Sequence, residues 1–257
     1  MRRDILQQKH RDTGNNNADG YRQFGDPARF WLLVQILSPE RRFEGYNITM
    51  TEKNLLDPHH VKMVTVYASS SAALKPIYYD AAWRTGEALA IGGKSITYGA
   101  GGGVLMGSMA DGALSKNGKV YGVVPQFLQN LELTHRGLTS LKIVKEMRVR
   151  KQLMLEDSHA VVTLPGGSGT YEELFEALTM KRLGQWTGPI ILVNTAGFYD
   201  GLVQFLKHSI DERFMSSNHL KMWNVVDEPE QVLDAIENSH AWDEDALEFA
   251  NVTHANA

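Results

Sequence analysis

The sequence predicts an α/β fold, a doubly wound parallel sheet with helices on both faces, and three observations carry the prediction. Short apolar runs recur from Val61 onward. Each is followed by a stretch with helical apolar spacing, the alternation expected of parallel strands joined by crossover helices. Three of the strand ends carry SSS, GAGGG and PGGSGT, and the carboxyl ends of such strands are where ligands bind.

The elements follow in order. Residues 1–25, RDTGNNNADG among them, are polar and turn-rich, so poor order is expected there. Residues 27–37 have the spacing of a short amphipathic helix, and 38–58 reads as a charged connection. Residues 1–58 are therefore expected to be a partly disordered N-terminal extension. VKMVTVYA (61–68) is a buried strand ended by SSS, with a helix from about Ile77 to Ile91 after it. KSITYG (94–99) is a second strand that runs into AGGG and the helical VLMGSMADGALSK. KVYGVV (119–124) is a third, stopped by Pro125, because proline donates no ladder hydrogen bond. LKIVK (141–145), helix 146–157, strand AVVTLP (160–165) and helix 170–183 follow. PIILVN (189–194), helix 199–213, MWNVVD (222–227) and helix 229–238 complete the pattern. Residues 59–240 thus read as one Rossmann-like nucleotide-binding domain, and 241–257 as an acidic C-terminal tail.

Composition removes several classes of function. A formal net charge of −4 supplies no global basic field, so nucleic acid is not the expected partner. The absence of cysteine excludes disulfides, thiolate zinc sites and a cysteine nucleophile. The histidines lack metal-ligand spacing, and His59-His60 reads as a polar loop pair. The longest apolar run, FWLLVQIL at 30–37, is far too short to span a bilayer, so no membrane partner is expected. No hydrophobic segment follows Met1-Arg2-Arg3 as in a secretion signal, and a cytoplasmic location is expected.

The stretch TLPGGSGTYEELFEAL (163–178) concentrates the chemistry. A glycine-rich loop entering a helix offers unpaired N–H groups and the positive end of the helix dipole to an anion. Gly166, Gly167 and Gly169 let a phosphate approach the backbone, and Ser168 and Thr170 add hydroxyls. A tight strand-to-helix turn without a ligand is the plainer reading. YGAGGGVLMG (98–107) is not a dinucleotide fingerprint, because Val104 stands where G-x-G-x-x-G needs its last glycine and no acid closes the third strand. A P-loop is excluded as well, since no G-K-[ST] follows a glycine loop.

Two charged residues stand out beside this loop. Thr170-x-x-Glu173 fits a capping box, in which the glutamate reaches back to the N-cap amide. Taken alone the cap is the favoured reading, but a carboxylate beside a phosphate-binding turn is also well placed for glycosidic or acid–base chemistry. Tyr171, Leu174, Phe175 and Leu178 read as the core stripe, with Glu172, Glu173 and Glu176 on the opposite side. On helix 146–157, Arg150 falls in the middle of an arc formed by Met147, Val149, Leu153 and Met154. A guanidinium there requires an anionic partner, either a structural carboxylate or a substrate phosphate. Lys151 can reach solvent or join the same anion.

These residues resemble a known family. PGGSGTYEE fits the PGGxGTxxE motif of the LOG (Lonely Guy) cytokinin riboside 5′-monophosphate phosphoribohydrolases, and MRVRKQLM resembles their M-x-x-R-K element. VYASSS, YGAGGGVLMG, YGVVP, FYDGLVQFL and DEPEQVLDAI resemble further blocks, so the similarity runs from about Val61 to Ile236, roughly two-thirds of the chain. The resemblance implies hydrolysis of a purine riboside 5′-monophosphate to free base and ribose 5-phosphate. It implies Arg150 and Glu173 as the catalytic pair and Gly166, Gly167, Gly169 and Thr170, with Ser168, as the phosphate cradle. Ser70, Gly101, Glu132, Lys151 and Thr179 are the further substrate contacts expected. No metal or redox cofactor is needed, and a homodimer or higher homo-oligomer is implied. Arg148 and Val149, Ala100 and Val104, and Ser69 depart from the family pattern, which bears on base choice rather than on reaction type. A non-catalytic nucleotide or molybdenum-cofactor carrier on the same fold is the alternative. It needs the loop but not the pair. A lysine decarboxylase label also attaches to this family, but nothing here identifies a pyridoxal-phosphate site.

Overall fold

The computed structural model describes residues 61–129, 134–242, 246–247 and 250. The expected N-terminal extension and Glu132 lie outside the described residues. Seven strands form one parallel sheet: β1 (Met63–Tyr67), β2 (Ser95–Tyr98), β3 (Val120–Pro125), β4 (Ser140–Val144), β5 (Ala160–Thr163), β6 (Ile190–Val193) and β7 (Asn224–Val226). Their order across the sheet is β4-β3-β2-β1-β5-β6-β7. The chain winds outward from β1 to β4, then returns to place β5 on the other side of β1, and winds outward again. The doubly wound Rossmann-like architecture is therefore as the sequence predicts. Five strands contract by one or two residues at an end against the apolar runs, whereas β3 and β4 keep their length and shift by one. Pro125 is the last residue of β3, paired with Val144, rather than the residue that stops it.

Helices cover both faces because alternate strand residues point to opposite sides. Val64 and Val66, Ile96 and Tyr98, and Val162 face α1 (Pro76–Ile91), α2 (Val104–Ser115) and, after a crossing connection, the short C-terminal helix Val232–Glu237. Tyr67, Val123, Val161 and Leu192 face the other layer. That layer comprises helix Met147–Glu156, helix Ser168–Arg182 and helix Asp200–Asp211. With the single turn Gln126–Gln129 as α3, these become α4, α5 and α6, and Val232–Glu237 becomes α7. Arg84 of α1 fastens the turn that precedes α7, donating to Glu230 at 2.7 Å and to Glu228 at 2.9 Å. Among the described residues no helix is long and apolar enough to cross a membrane.

Where an acidic tail is expected, Trp242, Ala246 and Ala250 are buried in the core beneath α5. Trp242 donates its indole N–H to the carbonyl of Lys181 at 2.6 Å, and Arg182 donates to the carbonyl of Ala250 at 2.9 Å. Lys181 itself is 1% exposed. It donates to the Gly188 carbonyl at 2.8 Å and lies 5.6 Å from the Trp242 ring centroid. Burial lowers its ammonium pKa from 10.5 to about 7.

Helices α1 and α2 pack backbone to backbone. A Cβ on Gly86 would run into the Met109 carbonyl, and one on Gly112 into the Trp83 carbonyl. Both obstacles are backbone, which cannot swing aside as a side chain would. Gly86→Ala should therefore lower stability by about 1–3 kcal/mol, the scale of overpacking. Urea denaturation midpoints of parent and variant check this.

Candidate active site

Pairing of β1 with β5, Tyr67 opposite Thr163, brings the carboxyl ends of two strands together. The loop after β1 supplies Ser69, Ser70 and Ser71, where the Ser71 N–H donates to Ser69 Oγ at 3.0 Å and bends the chain over the sheet edge. The loop after β5 supplies the glycines. Between them and α4 lies a cleft of about 310 Å³ whose lining includes all three serines, Gly167–Thr170, Arg150, Lys151, Glu172 and Glu173.

Helix α5 begins at Ser168, two residues before the sequence reading places it, with Gly167 as N-cap and no side-chain capping bond. The capping box expected for Thr170 and Glu173 is therefore not formed. Thr170 lies within the first turn and is buried against Gly166, where a Cβ would strike it. The first N–H groups of α5 have no intrahelical acceptor, and Ser168 and Gly169 line the cleft. The helix face is also rotated relative to expectation. Leu174, Ala177, Leu178 and Lys181 are buried, whereas Phe175 is 38% exposed. Glu173, expected on the polar side, retains only 12% side-chain exposure.

Arg150 on α4 is the neighbour of Glu173. Its side chain is also 12% exposed, and Nη1 lies 3.7 Å from Glu173 Oε1. The guanidinium is held from elsewhere: Nε donates to the Val123 carbonyl at 3.2 Å and Nη1 contacts Met147 Sδ at 3.3 Å. Gly99, after β2, makes room for it, since a Cβ there would collide with Nη2. At 3.7 Å the carboxylate attracts the guanidinium without forming a hydrogen bond. Donors of the five-N–H fork are left for a ligand.

The electrostatics follow from burial. Removal from water raises the Glu173 pKa from 4.5 to about 7, against the pull of Arg150; Glu172 and Glu176 add to the rise, and Lys151 opposes it. At neutral pH this acid is divided between its two forms. Tyr67 sits at the end of β1, and its phenol pKa is pushed well above its usual range by burial and then by Glu173 and Glu176. It therefore stays protonated. Lys151 lines the cleft but is already paired, with Glu172 at 2.7 Å and Glu176 at 3.2 Å.

Of the residues expected from sequence, the cleft brings together Arg150, Glu173, Ser70, Lys151, Gly167, Ser168, Gly169 and Thr170. Three expected contacts lie elsewhere. Gly101 is buried, bridged to Thr134 and bonded through its carbonyl to the Tyr98 hydroxyl at 3.1 Å. Gly166 faces a neighbouring cavity. Thr179 is exposed and does not line the cleft, because it lies nearly two turns beyond Glu173. Met106, Leu128 and Met147 add an apolar wall that the sequence reading did not assign. Their apolar spacing reads as core, and only the fold shows them facing a void. Among the described residues, no three His, Asp or Glu side chains converge as a metal-ligand group.

Residues 106–236 match the family model described as "Possible lysine decarboxylase". The chain is 33% identical over 193 residues to the cytokinin riboside 5′-monophosphate phosphoribohydrolase LOG7 of Arabidopsis thaliana, covering 71% of this chain and 89% of that protein. A phosphoribohydrolase of the same description from Rhodococcoides fascians is 38% identical over 156 residues, 60% of this chain and 79% of the other. Among solved structures, the molybdenum cofactor carrier protein of Chlamydomonas reinhardtii superposes with a TM-score of 0.55 at 18% identity, over 69% of this chain and 96% of that one. The molybdenum cofactor binding protein of Rippkaea orientalis gives 0.53 at 18%, with the same coverage. At that identity these two show the fold alone.

The shifted acid has a measurable consequence for stability. A raised folded-state pKa stabilises the fold fully below the unfolded value, and that contribution is lost as pH rises through the folded value. Between pH 4.5 and about 7 the parent should therefore lose stability relative to Glu173→Gln, with no further change in the difference above that range. Thermal or urea unfolding of both proteins across this range checks the sign, and a pH-independent difference would contradict the burial of Glu173.

Proposed function

The chain belongs to the LOG family, and on that footing we propose that it hydrolyses the N-glycosidic bond of a purine riboside 5′-monophosphate, releasing free base and ribose 5-phosphate. The observation that carries this reading is the buried Arg150–Glu173 pair in the same cleft as the open first turn of α5. The 5′-phosphate sits on the N–H groups of Ser168 and Gly169 and the hydroxyls of the serine loop, where the helix dipole favours an anion. The ribose then lies toward Glu173 and the base against Met106, Leu128 and Met147.

Cleavage moves the electron pair of the C1′–N bond onto the base and leaves positive charge on the ribose. An ionised Glu173 in a desolvated site stabilises that charge. Water adds to C1′ and gives up a proton, while the departing base gains one. A carboxyl group with a pKa about 7 can take and return a proton at neutral pH. Arg150, already aimed by Val123 and Met147, offers its remaining donors to the phosphate or the leaving base. The carrier alternative is disfavoured by the same pair, since a buried carboxylate beside a phosphate site weakens anion binding and serves no purpose in storage.

The named relatives, cytokinin riboside 5′-monophosphate phosphoribohydrolases, support a base of that class. The choice between an isopentenylated and a plain adenine rests with the apolar wall. A homodimer, or a multiple of one, fits the half-buried Val149 and Leu153 of α4 and the exposed Phe175 of α5. A cytoplasmic location and the absence of a nucleic-acid or membrane partner belong to the same reading.

Chromatographic detection of released base from a panel of purine nucleoside 5′-monophosphates tests the activity. Arg150→Ala and Glu173→Gln should each lower turnover by at least ~100-fold, the lower end for losing a positioned acid–base group. The corresponding nucleosides should be much poorer substrates. Equal rates with and without the phosphate would overturn the assignment of the α5 loop.

Light scattering should give a dimer or a multiple of one at micromolar concentration. A fully active monomer would remove the oligomeric part of the reading.

A further inference from the structure

The glycine loop has a second cavity on its other side. It encloses about 240 Å³ and shares Ser69, Ser71 and Gly167 with the active-site cleft. Its remaining character is apolar, set by Leu74, Tyr78 and Phe198. Neither Arg150 nor Glu173 reaches it. The two cavities thus meet at the elements read above as the phosphate anchor. One holds the charged pair, and the other is floored with rings.

The aromatic wall is built in advance of any ligand. Phe198 packs edge-on to Tyr78 at 6.0 Å and to Tyr199 at 5.0 Å. The corner carrying it is locked by Asn194, whose Oδ1 accepts from the Tyr199 N–H at 2.7 Å and whose Nδ2 donates to Asp200 at 2.8 Å. The preceding turn places Ala196 at φ 56°, a conformation that persists in a non-glycine residue only where its surroundings hold it. A rigid, half-buried pair of rings suits a flat or apolar group, which gains stacking and area burial at little ordering cost.

A nucleoside 5′-monophosphate with its ribose at Glu173 fills only the first cavity. We propose that the second cavity binds an aromatic or apolar group esterified to the far side of the same phosphate, so that the chain takes nucleoside 5′-phosphodiesters as a further ligand class. The inference rests on the phosphate lying at the α5 N-terminus. A diester retains one negative charge for the α5 amides and directs its two organic arms to opposite sides of Gly167. The nucleoside arm enters the cleft with the charged pair. The other arm enters the cavity of Leu74, Tyr78 and Phe198.

The test compares adenosine 5′-monophosphate with its methyl and phenyl phosphodiesters as ligands of the full chain, by calorimetry and by competition with base release. The two esters carry the same charge and differ only in the second arm. The phenyl ester should bind about tenfold more tightly than the methyl ester, the ratio expected for burying one ring. Leu74→Gln, a neutral change at a half-buried loop position, should erase that ratio while leaving the KM for the monophosphate unchanged. Phe198→Ala, with its melting temperature measured alongside, should do the same. Equal binding of the two esters to a parent that still binds the monophosphate would overturn this proposal alone. A rise in monophosphate KM in the neutral Leu74→Gln would also overturn it, by placing the base in this cavity. A parent that binds no monophosphate would overturn the phosphate assignment and this inference with it.

Discussion

The site depends on the pairing of β1 with β5. The two strands are far apart in sequence, yet Tyr67 lies opposite Thr163. From that register the chain winds away in opposite directions, so the loops leaving β1 and β5 cannot cover each other and a gap opens between them. Everything that gives the gap its chemistry arrives on elements fixed by the same sheet. The serines follow β1, Gly99 follows β2, the Val123 carbonyl belongs to β3, and the open turn of α5 follows β5. No long loop is needed to assemble it.

Into that gap the fold places two charges at a distance that satisfies neither fully. A closer approach would tie Arg150 to Glu173 in a bidentate bond and spend the guanidinium's donors. Instead Val123 and Met147 hold the guanidinium from behind, Gly99 leaves it room, and the carboxylate stands 3.7 Å away. The result is an acid whose burial outweighs the attraction of its neighbour. A pair serving only the fold would be expected to close that distance, because breaking or loosening a buried pair is costly.

The fold was legible in the sequence because its strands are buried on both faces and read as uninterrupted apolar runs, with glycine or serine at their carboxyl ends. Arg150 was legible for a related reason: a charge inside an apolar arc must meet an anion, and it does. The start of α5 was not. Thr170 has the chemistry of an N-cap and Glu173 its usual companion, whereas the real cap, Gly167, has no side chain to announce itself. The earlier start puts Glu173 in the second turn rather than at the helix mouth, and separately the helix packs by Leu174, Ala177, Leu178 and Lys181, which leaves Phe175 outward. Gly101 is expected at the site, and what the sequence does not show is that its carbonyl accepts from the Tyr98 hydroxyl. The second cavity could not be read at all, because Leu74, Tyr78 and Phe198 come from segments that only the sheet brings together.

Helix α5 carries a buried acid near one end and a buried base, Lys181, near the other. Both titrate at about 7, the acid raised from 4.5 and the base lowered from 10.5. Acidifying the solution neutralises Glu173 but leaves the lysine charged in a dry interior; making it alkaline does the reverse. No pH relieves both ends of the helix together. Around neutrality the two penalties overlap most fully, so the helix that carries Glu173 and Lys181 bears its greatest electrostatic load near pH 7.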